Sequence, residues 1–129
     1  MRPVKKSSLG TRLRVILGDD IAMGPGKADL LDNIVATGSI AAAGRRMSMS
    51  YRRAWLLIDE MNRVFKSPVV STAKGGKGGG GGAVLTKVGR EVLARYRNMQ
   101  AVTAKAIAAD IEALDAVLAA KPKPAKRRA

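Results

Sequence analysis

A mainly α-helical fold with one small β-hairpin is predicted by three observations. Apolar residues recur at helical spacing in three stretches, around 27–37, 50–66 and 87–118. Pro68 closes the second, after which two short apolar runs, Val69-Val70 and Ala83-Val-Leu85, flank a loop of lysine and glycine. Aromatic residues are 3% of the chain while hydrophobic residues are 47%, so the core must be aliphatic and rich in alanine. With 129 residues there is room for one compact domain and tails.

The elements follow in order. Leu13, Val15 and Leu17 fall on one side of a short strand over Arg12–Leu17, and Gly18-Asp-Asp20 and Gly24-Pro-Gly26 punctuate what comes next. From about Lys27 the period is helical, with Leu30, Leu31, Ile34 and Val35 repeating and Gly38 as a left-handed stop. Ser39 suits the N-cap of a short second helix, Ile40 to about Arg46, whose Ala41-Ala-Ala43 body lets another helix approach closely. Ser48 or Ser50 caps a third helix reaching about Lys66. Ala54, Trp55, Ile58, Met61 and Phe65 lie along its buried side, while Arg52, Arg53, Asp59 and Arg63 lie largely off it.

The hairpin strands then enclose a nine-residue loop, 74–82, longer than a tight turn. Thr86 caps a fourth helix of about 30 residues, in which Val92, Tyr96, Met99, Thr103, Ile107, Ile111, Leu114 and Leu118 step by three or four. Nine alanines between 101 and 120 give it high intrinsic propensity. Such a helix outlasts the core of a small domain, and its far half needs a partner surface, most simply its copy in a homodimer. Leu13 and Val15 are assigned to that interface along with Tyr96, Met99, Thr103, Ile107, Ile111, Leu114 and Leu118.

Composition narrows the chemistry. There are 24 lysines and arginines against 10 acids, with no histidine and no cysteine, for a net charge of +14. The missing residues remove histidine-dependent triads, cysteine nucleophiles, Cys/His zinc sites and disulfides, so an enzyme, a bound metal and a cofactor are not expected. The only adjacent carboxylates, Asp19-Asp20 and Asp59-Glu60, are sequence neighbours that do not face one another on a helix. No segment has the roughly 18 apolar residues of a membrane span, and the basic N-terminus leads into no apolar signal core. A cytoplasmic, nucleoid-associated protein without a membrane partner is expected.

The charge is unevenly placed. Residues 1–14 hold five basic groups and 121–129 hold five more, leaving 14 basic against 10 acidic residues for 15–120. The ends, 1–11 and 119–129, read as flexible basic tails that attract phosphate without regard to sequence. Ten basic residues lie between Asn33 and Arg90, opposed only by Asp59 and Glu60, which suggests one basic face on a folded unit.

Two helices, a tight turn, a third helix starting with polar and basic residues, then a basic-tipped hairpin make up a winged helix-turn-helix, assigned to residues 12–86. The long dimerisation helix follows at 87–118. A helix beginning Ser50-Tyr51-Arg52-Arg53 turns its positive N-terminal end towards an anionic duplex, and arginine pairs with guanine O6 and N7 in the major groove. Arg52 and Arg53 are about 100° apart on the helix, so one of them is expected to reach bases. Arg45, Arg46 and Ser48, before that helix, complete the candidate double-stranded DNA contacts on this side. In the wing, Lys74, Gly75, Gly76, Lys77 and Gly78 combine charge with a backbone that approaches phosphates closely. A P-loop is excluded because Gly78 follows Lys77 where serine or threonine is required. A solvated basic helix face and a flexible linker are the plainer readings of these two segments. A nucleoid-like architectural DNA-binder, dominated by its tails, is the competing function; an anion sensor built on the glycine loop is a third, for which no closed pocket of converging donors is expected.

Gly38-Ser-Ile, Ser50-Tyr-Arg-Arg-Ala-Trp55, Glu60-Met-Asn62 and above all Gly75-Gly-Lys-Gly-Gly-Gly-Gly-Gly-Ala-Val-Leu-Thr86 resemble the N-terminal DNA-binding domain of the molybdate-responsive ModE regulators. The similarity covers roughly residues 12–118. It implies a bacterial winged-helix transcription factor, homodimeric through its long helices, with DNA contacts from the third helix and the wing. Full-length members continue into molybdate-binding β-barrel domains beyond the resemblance, so molybdate binding is not expected for this chain. Leu56, apolar just after Trp55, is unassigned between a contact with the first helix and a dimer contact.

Overall fold

The computed structural model describes residues 10–19, 21–73, 82–121 and 123–125. They divide into two units, Arg12–Gln100 and the remainder, whose regular structure begins at Ala101. In chain order the elements are β1 (Val15–Ile16), β2 (Ala22–Met23), α1 (Pro25–Thr37), α2 (Ile40–Arg46), α3 (Tyr51–Val64), β3 (Val70–Ala73), β4 (Gly82–Leu85), α4 (Lys87–Ala106) and α5 (Ala108–Val117). The fold is mainly helical with two small antiparallel hairpins, β1–β2 and β3–β4.

The start of the chain differs from expectation in two places. The strand Arg12–Leu17 shrinks to Val15–Ile16, paired with an unforeseen β2 through Val15 opposite Met23 and Ile16 opposite Ala22. A two-residue strand is too short for any periodicity to reveal. Helix α1 starts at Pro25, not about Lys27, because proline at the first helical position has no amide to leave unsatisfied. Leu30, Leu31 and Ile34 are buried as expected, while Val35 is exposed.

The caps are where the sequence placed them. Gly38 has φ +71° and sends its N–H to the Ile34 carbonyl, ending α1. Ser39 Oγ accepts from the Ala42 amide at 3.0 Å, and Ser50 Oγ accepts from the Arg53 amide at 3.0 Å. Ser50, then, is the cap of α3. Ser48 instead sits at φ +56° in the turn, with its N–H on the Arg45 carbonyl while the Met49 N–H bonds to the Gly44 carbonyl. This is a Schellman closure of α2 with serine in the place glycine usually takes. Gly44 is buried where α2 meets α3; a Cβ there would lie 3.3 Å from the Met49 carbonyl oxygen and 3.4 Å from Ala54 Cβ.

Helix α3 ends at Val64 rather than Lys66, and its buried side is Ala54, Leu57, Ile58 and Met61. Leu57 takes a core place expected of Trp55 and Phe65, which pack partly buried at the core's edge. The core of this unit joins α1, α2, α3 and the β3–β4 hairpin with Tyr96 of α4, whose side chain is fully buried. Among the described residues no buried side-chain nitrogen or oxygen lacks a partner.

The long helix is two helices. It breaks at Ile107 (φ −104°, ψ 6°), although the Ile107 and Ile111 amides still bond to the carbonyls four residues back. The break falls where β-branched Ile107 sits one turn beyond β-branched Thr103, residues that lose side-chain freedom in a helix. Helix α5 has no buried residue. Among the described residues no helix is long and apolar enough to cross a membrane.

Candidate nucleic-acid interface

The site starts with the turn. The Ser48 backbone reverses the chain between α2 and α3, and the Gly44–Ala54 contact fixes how closely the two helices pack. With Ser50 holding the first turn of α3, Tyr51, Arg52 and Arg53 all stand exposed. Arg45 and Arg46, in the last turn of α2, are exposed as well. These residues, with Ser48 and Ser50, are thereby brought to the helix-turn-helix segment of one unit.

The hairpin is tied beside them. Asn62 Oδ1, on α3, accepts from the Val69 amide at 2.7 Å and from the Val70 amide at 3.3 Å. At the other strand the Ala83 amide bonds to the Gly38 carbonyl at 2.9 Å, linking the hairpin to the α1–α2 corner. The register runs Val70 opposite Leu85 to Ala73 opposite Gly82, so the strands open towards the loop at that end. Lys74, Gly75, Gly76, Lys77 and Gly78 lie outside the described residues. Thr86 closes the hairpin's base: its hydroxyl donates to the Pro68 carbonyl at 2.6 Å and accepts from the Gly89 amide at 2.9 Å. Gly89 is required here, since a Cβ would lie 2.0 Å from the Val69 carbonyl oxygen.

Between α3 and the hairpin lies a groove of about 590 Å³, walled by Tyr51, Trp55, Thr72, Gly82 and the start of α2. Tyr51 and Trp55 meet edge to face in it, with ring centroids 6.3 Å apart. Trp55 is thus a wall of the candidate interface as much as a core residue. Helical periodicity alone could not show this, because the position lies on the boundary between the two faces.

Charge pairing leaves this face basic. The two acids of α3 are both engaged: Asp59 with Arg63 at 3.1 Å and Glu60 with Lys27 at 3.1 Å. Lys27 also donates to the Ala22 carbonyl at 2.9 Å, joining β2 and α1 to α3. Among the described residues, Arg45, Arg46, Arg52 and Arg53 have no carboxylate within salt-bridge distance.

The residues assigned to a dimer interface do not share one environment. Leu13 and Val15 are partly buried against the core of their own unit. Tyr96 is 0% exposed, and its hydroxyl donates to the Leu13 carbonyl at 2.6 Å. It is a core residue with no surface left for a partner, a correction to its assignment. Burial pushes the Tyr96 hydroxyl pKa up, against the lowering influence of the Arg97 charge and the nearby Gln100 side chain. Val15 and Met99 border an apolar groove of about 340 Å³ together with Phe65 and Val92. Thr103, Ile107 and Ile111 are partly buried, whereas Leu114 and Leu118 are exposed.

One cluster had no signal in the spacing of residues. Arg97 of α4 donates through Nη2 to Asp29 Oδ1 at 2.8 Å and Asp32 Oδ2 at 2.5 Å on α1, and through Nη1 to Gln100 at 2.8 Å. Burial opposes the guanidinium charge, but the two carboxylates outweigh it and raise its pKa. The clamp fixes α4 on α1 of the helix-turn-helix.

Architecture and surface together define a winged helix-turn-helix with a basic third helix. The chain is homologous to the N-terminal region of the ModE transcriptional regulators. It is 39% identical over 82 residues to ModE of Escherichia coli K12, covering 64% of this chain and 31% of the relative. Against ModE of Yersinia pestis it is 37% identical over 99 residues, 74% of this chain and 37% of the relative. A third relative, the molybdenum-pterin-binding protein MopB of Rhodobacter capsulatus, is 46% identical over 83 residues, 64% of this chain and 30% of the relative. The chain thus spans about a third of the length of the curated relatives it matches. These relatives are named as regulators and a binding protein, not as enzymes. No protein-family model matches the chain.

Proposed function

We propose that the chain is a dimeric, sequence-specific DNA-binding transcriptional regulator, reading double-stranded DNA with α3 and gripping its backbone with the lysine-glycine wing, 74–82. The observation that carries this reading is the pair Arg52–Arg53. Both side chains are exposed in the capped first turn of α3 and without acidic partners among the described residues. An arginine so placed favours phosphate through the helix dipole and pairs with guanine edges in the major groove. Homology to the ModE regulators supports the same function.

The long helical stretch supports the dimer. Leu114, Val117 and Leu118 expose more than half of their surface, and a second copy would cover them. Two copies of α3 then read half-sites about one helical turn apart or a multiple of it. Localisation in the bacterial cytoplasm, on the nucleoid, follows from this role.

Ten of the 24 basic residues lie within 1–14 and 121–129, which favours a second reading as an architectural DNA-binder. Selection of bound duplexes from a random pool separates the two. A regulator enriches a motif with two-fold symmetry, and an architectural protein enriches none.

A further inference from the structure

Leu56 is 48% exposed and absent from the core, on the helix proposed to read DNA. A single exposed leucine needs no explanation on an ordinary surface. This one lies on the face of α3 opposite its buried residues. Ala54, Leu57, Ile58 and Met61 define the buried side. At about 100° per residue, Arg52, Leu56 and Arg63 project from the opposite side. Arg63 is engaged with Asp59, which leaves Arg52 and Leu56 as the outermost uncommitted groups.

Leu56 also falls between the two arginines. It is about 40° round the helix from Arg52 and about 60° from Arg53, and about 6 Å further along the axis from Arg52. Side chains on a helix lean towards its N-terminus, so the leucine leans over the turn that carries both guanidinium groups. If either arginine reaches a base edge, Leu56 enters the same groove within about two base steps. The apolar group that the major groove offers there is the C5-methyl of thymine.

We infer that Leu56 is a specificity-determining residue that packs on a thymine methyl group in each half-site. This rests on the proposed reading of DNA by α3. Two features of the face favour DNA as its occupant over a protein: the surrounding arginines lack acidic partners among the described residues, and the capped helix end is positive. Leu56 contributes specificity without charge, so its effect does not depend on counterion release and salt.

The test uses the full chain and a duplex obtained by selection. Each thymine of one half-site is replaced in turn by deoxyuridine, which removes the methyl group and nothing else. Wild-type protein is expected to lose about fourfold in affinity at one such position, the effect of burying one methyl group. Leu56→Ala is expected to bind thymine and uracil there equally, and Leu56→Met to restore the discrimination. Circular dichroism checks that both variants are folded, as the exposed position leads one to expect.

A wild-type protein indifferent to every thymine-to-uracil change overturns the inference. So does a methyl effect that persists undiminished in Leu56→Ala. If either result accompanies a selected motif that Arg52→Ala or Arg53→Ala blurs, the proposed function stands and only the role of Leu56 fails. If selection yields no motif at all, both fall together.

Discussion

Helix α3 and the stretch from Ala101 to Val117 both expose side chains that a lone folded unit has no use for, but of opposite kinds. Helix α3 is anchored by four buried residues and turns two arginines outwards. The later stretch includes α5, which has no fully buried residue, and exposes Val102, Leu114 and Val117. Charge displayed on a helix that a core holds rigid suits a polyanion, for which fixed geometry gives specificity. Apolar surface on a helix without a core suits another apolar surface, which supplies the burial the chain itself does not. Under the proposed function the two regions serve different partners, duplex DNA and a second copy of the chain.

The largest expected effect destabilises the folded unit that carries α3. Gly89→Ala forces a Cβ onto the Val69 carbonyl where α4 meets the hairpin base. A loss of about 3 kcal/mol in chemical denaturation is expected, since backbone must move to admit it. Next, Leu114→Glu with Leu118→Glu strikes the second region. Analytical ultracentrifugation is expected to show self-association weakened tenfold or more, with DNA-binding-unit stability unchanged. An unaltered dimer would mean that these residues are not at its interface.

The smallest effect sharpens the boundary between the regions. Tyr96→Phe leaves the Leu13 carbonyl without its donor, for an expected loss of about 1 kcal/mol. The hydroxyl's folded-state pKa lies above its ordinary value of 10.0. The neutral form is therefore favoured by folding, and that stability is present below pH 10 and is lost as pH rises through the folded-state pKa. Wild type should lose this contribution in alkaline denaturation series, and Tyr96→Phe should lack that part of the decline.

Much of this was legible in the residues. Gly38, Ser39, Ser50 and Thr86 act as the stop and caps their chemistry suggests, because capping is a local interaction that neighbouring residues complete. The hairpin pairing from Val70 to Leu85 followed from two apolar runs around a glycine loop. Non-local facts were not legible. Periodicity placed Tyr96 on an apolar face but could not say whether its own core or a partner covers that face. It exchanged Leu57 for Trp55 because both border the same stripe. The Arg97 clamp on Asp29 and Asp32 joins residues 65 or more positions apart, which no spacing rule connects. The basic face was visible as a charge excess, whereas its cause, the pairing of Asp59 and Glu60 away from Arg52 and Arg53, depends on how the helices pack.

The central claim is that α3 reads sequence while the wing and tails supply affinity alone. The direct measurement is the dissociation constant for a selected duplex and a scrambled one, at one salt concentration, for wild type, Arg52→Ala/Arg53→Ala and Lys77→Ala. The arginine variant is expected to lose about tenfold or more in the ratio between the two duplexes, and Lys77→Ala to weaken both alike. Equal losses on both duplexes for the arginine variant would contradict the account.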